Sequence, residues 1–334
     1  MNKKNNLALF TLLVAGLLSL FSINISAQNK VTTETEQSTK TCSGKKFVMP
    51  PSIAVNNNAF GDFIKVASLS LDERRSAFSK LSNEQKAAFI KVNLALQLVK
   101  RPNMTKEQQE FVLDSILKVS AAIYDNSDFE KVRRSEQSGT EMVNKAFALF
   151  SPKELGDFIE PLNANKDEEV VLLQKYEDLL KNGMNARRKI ASGMPVNERV
   201  IIWKTQLAYH LATGKFSKNQ NEFILEMLSG LTPEFFTSRL NLTKEEEAKA
   251  ERVLASSISN VFTKDEGFAV FVEIGVQNYV KDESNPTTAQ LTPTCTCNWS
   301  CSQGTCSGSG CISSEIGACG PFGTTRCNYL CVLE

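Results

Sequence analysis

From about residue 61 to 281, apolar positions recur every three or four residues, the spacing that lines one face of an α-helix. Ile90, Leu94 and Leu98 make one such stripe, and Trp203, Leu207 and Leu211 make another. Val112, Leu113, Ile116 and Leu117 make a third, and all three are expected to face a core. Seven hydroxyl residues sit three positions before an acid or amide: Ser70 with Glu73, Ser82 with Gln85, Thr105 with Gln108, Ser151 with Glu154, Ser217 with Gln220, Thr243 with Glu246 and Thr263 with Glu266. In that spacing the hydroxyl accepts from an open backbone N–H of the first turn and the acid or amide reaches back to the cap. With alternating β-branched runs almost absent, the region reads as an all-α domain.

The pattern also repeats. Lys91 to Leu98 matches Lys204 to Leu211 at four of eight positions, and Met104 to Leu113 matches Phe216 to Leu225 at five of ten. Phe150 to Glu154 and Phe262 to Glu266 keep the second pair's offset of 112 residues. The sequence therefore predicts a duplicated helical domain of two similar halves, about 82–160 and 195–272. The period far exceeds that of short helical repeats, so two packed halves are expected rather than a solenoid.

The flanks differ in composition. Lys3 and Lys4 precede the apolar stretch Leu7 to Phe21, and Ile25-Ser26-Ala27 resembles a signal-peptidase site, so residues 1–27 read as a signal peptide. An uncleaved N-terminal anchor is the alternative, although the stretch is short for a membrane span. Residues 28–60 are polar and read as a tether, and 282–294, with Pro286 and Pro293, as an exposed linker open to proteolysis. The expected compartment is secreted or periplasmic, with no integral membrane segment after signal removal. Losing residues 1–27 takes two lysines from 38 basic residues, leaving 36 against 37 acids, a balance that argues against a nucleic-acid partner.

Eight of nine cysteines crowd into the last 40 residues: Cys295, Cys297, Cys301, Cys306, Cys311, Cys319, Cys327 and Cys331. Between the first and last of these only Glu315 and Arg326 are charged, so segment 295–334 lacks the means for an ordinary core or an ion-pair network. A module this small needs cross-links, and export favours disulfides over zinc despite the zinc-like Cys297-x3-Cys301 spacing. Eight cysteines allow 105 pairings, so connectivity stays open. Cys42 is left over, either free, paired with another molecule or paired with the tail.

Catalytic motifs are not evident. His210 is the only histidine, aligned with Gln97 of the other half, and reads as a polar surface position or a satisfied core residue. There is no HExxH, phosphate-binding glycine loop or nucleophile elbow. A non-enzyme without cofactor or metal is expected.

The opening Cys295-x-Cys297, the eight closely spaced cysteines, the scarcity of charge and the abundance of Gly, Ser and Thr make this tail resemble fulvocin C, a small cysteine-rich bacteriocin. The whole chain resembles a precursor of that family. The resemblance implies an exported antimicrobial peptide held by four disulfides, acting on a bacterial envelope or a surface receptor. The expected function is then a bacteriocin-like protein whose tail is the effector, released at the linker. The alternative is a periplasmic or cell-surface binding module with a non-catalytic disulfide-rich tail.

Overall fold

The computed structural model describes residues 38–40, 46–48, 50–53, 59–124, 144–159, 168–182, 184–240, 242–275, 311–312, 321–323 and 330–331. The chain divides into two compact units, one built from residues 58–174 and the other from 33–57 with 175–334. The expectations for residues 1–27 and 282–294 lie outside the described residues.

Helices dominate both units. The first contains α1 (Ala59–Ala67), α2 (Leu71–Ser79), α3 (Asn83–Lys100), α4 (Lys106–Lys118), a 3-10 turn at Ala121–Tyr124, a helical stretch at 144–149 and α5 (Pro152–Ile159). Helix α6 (Glu168–Leu180) crosses the unit boundary, and α7 (Met184–Ser192), α8 (Val196–Thr213), α9 (Lys218–Gly230), α10 (Pro233–Leu240), α11 (Lys244–Ser259) and α12 (Lys264–Phe271) follow. Of the sequence-marked starts, six accept a backbone N–H on the cap hydroxyl; at Ser70 the hydroxyl donates to Glu73 Oε2 instead, 2.6 Å away. In all seven the acid or amide accepts from the cap backbone N–H at 2.7–3.0 Å.

In the first unit, α3 packs against α1, α4 and the 3-10 turn. Phe89 on α3 meets Phe63 at 4.9 Å and Phe78 at 5.3 Å between ring centroids, and Phe78 also meets Tyr124 at 6.4 Å. In the second unit α8 is the central rod. Every residue from Ile202 to Ala212 is buried, because α7, α9, α10 and α12 surround it. A helix enclosed on all sides carries apolar residues all round, and from Ile202 to Ala212 α8 does so except for Lys204, Thr205, Gln206 and His210.

Of the ten stripe positions eight are buried as expected, Leu94 is half-buried, and Leu117, the next-to-last residue of α4, is 45% exposed. Part of the expected tether is also structured: Ser38–Lys40 pairs antiparallel with Lys46–Val48, and a turn at 50–53 buries Ile53 to 1% exposure. The Ser52 carbonyl accepts from the Lys215 N–H at 2.7 Å, and its hydroxyl donates to Glu266 at 2.5 Å.

Glu266 thus does more than cap α12, since Gln220 Nε2 on α9 also donates to it at 3.2 Å. Partial burial raises its pKa, but the hydrogen bonds from Ser52, Thr263 and Gln220 outweigh that and leave it below the usual carboxylate value. Glu266→Ala is expected to cost about 2 kcal/mol, against about 1 kcal/mol for the plain cap removal Thr243→Ala. Urea midpoints of the two variants measure the difference.

Several features recur between the units at fixed offsets. Helices α3 and α8 both have 18 residues, α4 and α9 both have 13, and α5 and α12 both have 8. Phe111 meets Phe150 at 5.8 Å, and Phe223 meets Phe262 at 5.9 Å. Arg74 Nε donates to the Leu69 carbonyl at 2.7 Å, and Arg187 Nε to the Asn182 carbonyl at 2.6 Å, each five residues back.

Candidate functional site

The second unit holds an aromatic socket whose walls come from three helices. Trp203 projects from α8, Phe235 from α10 and Phe271 from α12. Into it reaches Phe322, from a single-turn segment at Pro321–Gly323 in the middle of the cysteine-rich tail. Its ring lies 5.3 Å from Trp203, 5.7 Å from Phe235 and 5.7 Å from Phe271, with interplanar angles of 85°, 88° and 77°. These are edge-to-face contacts, in which the positive edge of one ring meets the negative face of another. Phe322 is 0% exposed.

The backbone conformation shows how firmly the ring is held. Phe322 has φ 59° and ψ 15°, in the left-handed region where a side chain crowds the carbonyl, and Gly323 follows at φ 58°. That conformation costs about 1–2 kcal/mol, whereas burying a phenylalanine in a packed core is worth about 3–5 kcal/mol. Burial wins, so the ring dictates the turn.

Two arginines brace the wall. Arg239 stacks over Phe235 at 4.5 Å, and Arg199 over Phe236 at 5.6 Å. Burial pulls both guanidinium pKa values down, and for Arg239 the neighbouring Glu251 and Glu247 pull the other way.

Beneath the socket a buried polar cluster fixes the turn after α12. Gln206 is its hub: its Oε1 accepts from the Tyr176 hydroxyl and from the Gly275 N–H at 3.0 Å. Its Nε2 approaches the carbonyls of Glu273 at 3.2 Å and Ala269 at 3.3 Å, and lies 2.9 Å from His210 Nε2. An imidazole that accepts at Nε2 carries its proton at Nδ1. Burial drives the His210 pKa down to about 4, partly opposed by a hydrogen bond with the Ala269 backbone, so the ring is neutral near pH 7. Arg187 donates through Nη1 to the carbonyls of Ile274 at 3.1 Å and Gly275 at 2.6 Å, and Arg188 pairs with buried Glu273 at 2.9 Å.

Gly275 is required there. Its φ is 69°, and a Cβ would fall 2.0 Å from Leu180 Cδ2 and 2.8 Å from Arg187 Nη1. Gly275→Ala is expected to destabilise the protein by about 1–3 kcal/mol, read as a lower thermal midpoint with unchanged helix content at 20 °C.

His210 is a satisfied core residue that no solvent reaches, and among the described residues no three His, Cys, Asp or Glu side chains gather to bind a metal. A second concavity, an open groove of about 520 Å³ between α9 and α11, is apolar at Phe223, Met227 and Val253, the last 61% exposed. Of the tail cysteines, Cys311 and Cys331 lie on two short antiparallel strands as partners in register. Cys295, Cys297, Cys301, Cys306, Cys319 and Cys327, like Cys42, lie outside the described residues.

No periodicity or motif in the sequence ties Phe322 to the helical unit. The available signal was Gly320-Pro321-Phe322-Gly323, an aromatic framed by turn-forming residues in a segment poor in other large rings.

The socket and its plug define a class: an all-α protein that grips a turn of its own cysteine-rich tail. No described helix is long and apolar enough to cross a membrane. No family model, curated protein or solved structure matches the chain.

Proposed function

We propose that the protein is an exported, non-catalytic, bacteriocin-like protein in which a duplicated helical domain holds a disulfide-rich effector tail until that tail is released. The observation that carries this is the complete burial of Phe322 among Trp203, Phe235 and Phe271. A tail that is merely tethered has no need of such a contact, whereas a precursor that must keep an active segment quiet does. The target is a bacterial envelope or a surface receptor, as the resemblance to fulvocin C implies, and the eight tail cysteines are structural cross-links.

Duplication is part of this proposal. The equal helix lengths, the paired aromatic contacts and the matching arginine bonds support it, and they extend the repeat upstream. LDERRSAFS at Leu71–Ser79 matches MNARRKIAS at Met184–Ser192 at both arginines and the last serine.

The test is limited proteolysis of the oxidised full-length protein within residues 282–294, followed by gel filtration and a growth assay on related bacteria. The tail is expected to co-elute with the helices after the cut, and the Phe322→Ala chain to lose its tail and inhibit growth. A wild-type tail that elutes separately at once, or a freed oxidised tail without inhibitory activity, would overturn the proposal. The second reading, a binding module with a permanent tail, is favoured by the same burial and predicts co-elution with no inhibition from either form.

A further inference from the structure

We propose that the aromatic socket is a vacancy in the second helical unit, created by alanine at position 191, and that it binds the Pro321–Gly323 turn of a second copy of this chain whenever its own turn is withdrawn. The inference rests on the repeat and the holding site just described, and adds what the site recognises: a phenyl ring on a left-handed turn that follows proline.

Helices α2 and α7 correspond. Both run for 9 residues and share the paired arginines and the final serine, and Arg74 and Arg187 make the same backbone bond. In that frame Phe78 of α2 matches Ala191 of α7. Phe78 is 0% exposed and its ring joins Phe89 on α3 to Tyr124. The matching position in the second unit carries only a methyl group, so α7 supplies no ring to the space it shares with α8 and the turn after α12.

Phe322 supplies one. Ala191 and Phe322 line the same residual cavity, of about 10 Å³, together with Trp203, Val272 and Ile274. A cavity of that size holds roughly one water, so a ring at 191 and a ring at 322 cannot both fit. The second unit therefore has an unfinished core that a segment far along the chain completes.

Completion of this kind is independent of which molecule donates the ring. Phe322 follows Phe271 by about 50 residues, and the contacts that seat it are side-chain burial and edge-to-face packing. The turn of a second copy offers the same proline, ring and glycine. Exchange of an identical element between copies is a low-cost route to association.

Two variants separate donor from acceptor. Full-length Phe322→Ala keeps an empty socket, and full-length Ala191→Phe fills its own socket and expels a turn that still carries Phe322. Mixed at micromolar concentration, they are expected to form a 1:1 complex by sedimentation, while each alone stays monomeric. A synthetic peptide spanning residues 318–325, with serine in place of Cys319, is expected to bind the Phe322→Ala chain saturably. Binding to wild type, whose own ring fills the site, is expected to be at least tenfold weaker, as is binding to the Ala191→Phe/Phe322→Ala double variant. Absence of the mixed complex together with absence of peptide binding to Phe322→Ala would overturn the proposal, and so would equal peptide binding to all three chains. If Ala191→Phe unfolds, the vacancy argument is wrong. None of these results depends on growth inhibition, so an inactive tail would sink the effector role and leave the socket's specificity standing.

Discussion

Replacing Phe322 with alanine is expected to cost the full-length protein about 3 kcal/mol of stability, within the range for emptying a buried phenylalanine site. The ring is fully enclosed and makes three edge-to-face contacts, so its removal forfeits both buried area and ring pairing. The left-handed backbone offers no compensation, because alanine at φ 59° is strained as well. Phe322→Gly relieves that strain and is expected to fall about 1 kcal/mol short of the alanine cost. Phe322→Leu retains apolar bulk and should lose least. Urea unfolding followed by circular dichroism gives the order, and an alanine cost below about 1 kcal/mol would mean that the ring does not hold the tail.

The second large effect is on pH dependence. The pKa of His210 falls from 6.5 to about 4 on folding because the ring is buried away from water. Between those values the unfolded chain binds a proton that the folded chain refuses. Stability is therefore full above pH 6.5 and is lost as pH falls toward 4, by about 3 kcal/mol at the lower end. The window is free of other histidines, since the chain has only one. Glu73, Glu154, Glu246 and Glu266 are also held below 4.5, by cap hydrogen bonds that for Glu266 outweigh its burial, so their share is lost as pH falls below 4.5 and leaves the range from pH 6.5 to 5 to His210. His210→Gln removes the titrating group and retains an amide for Gln206 to meet. Gln97, which aligns with it in the sequence, is also buried. That variant should show nearly constant urea midpoints from pH 6.5 to 5, where wild type declines. An equal decline in both would place the acid sensitivity elsewhere.

The helices were legible in the sequence because helix starts are local. The hydroxyl and its acid or amide sit three residues apart, and the seven marked positions all cap helices. Two starts without that pair, α8 after Pro195 and α10 at Pro233, carry proline instead. The burial of His210 was half legible: its alignment with Gln97 said polar, but only the enclosure of α8 decided between surface and core. The socket was not legible. Ala191 looks unremarkable until α2 and α7 are set in one frame, and that match becomes clear only once both helices are seen to make the same arginine bond. Phe322 lies too far along the chain for any periodicity to connect it with Trp203, and its contact is made by side-chain packing, which leaves no spacing rule to read.

The two units also finish their cores on different terms. In the first, Phe78 and Phe89 lie 11 residues apart, and the ring needed to close the core arrives with its own helix. In the second, the closing ring follows its nearest wall, Phe271, by about 50 residues, and loop closure over that distance costs about 1 kcal/mol more. During synthesis the first unit has its closing ring in place before α4 and the 3-10 turn that pack on α3 emerge. The second must wait, with its aromatic wall uncovered, until the cysteine-rich segment has been made. The interval between those two events is when the chain is most open to a chaperone or to the wrong partner.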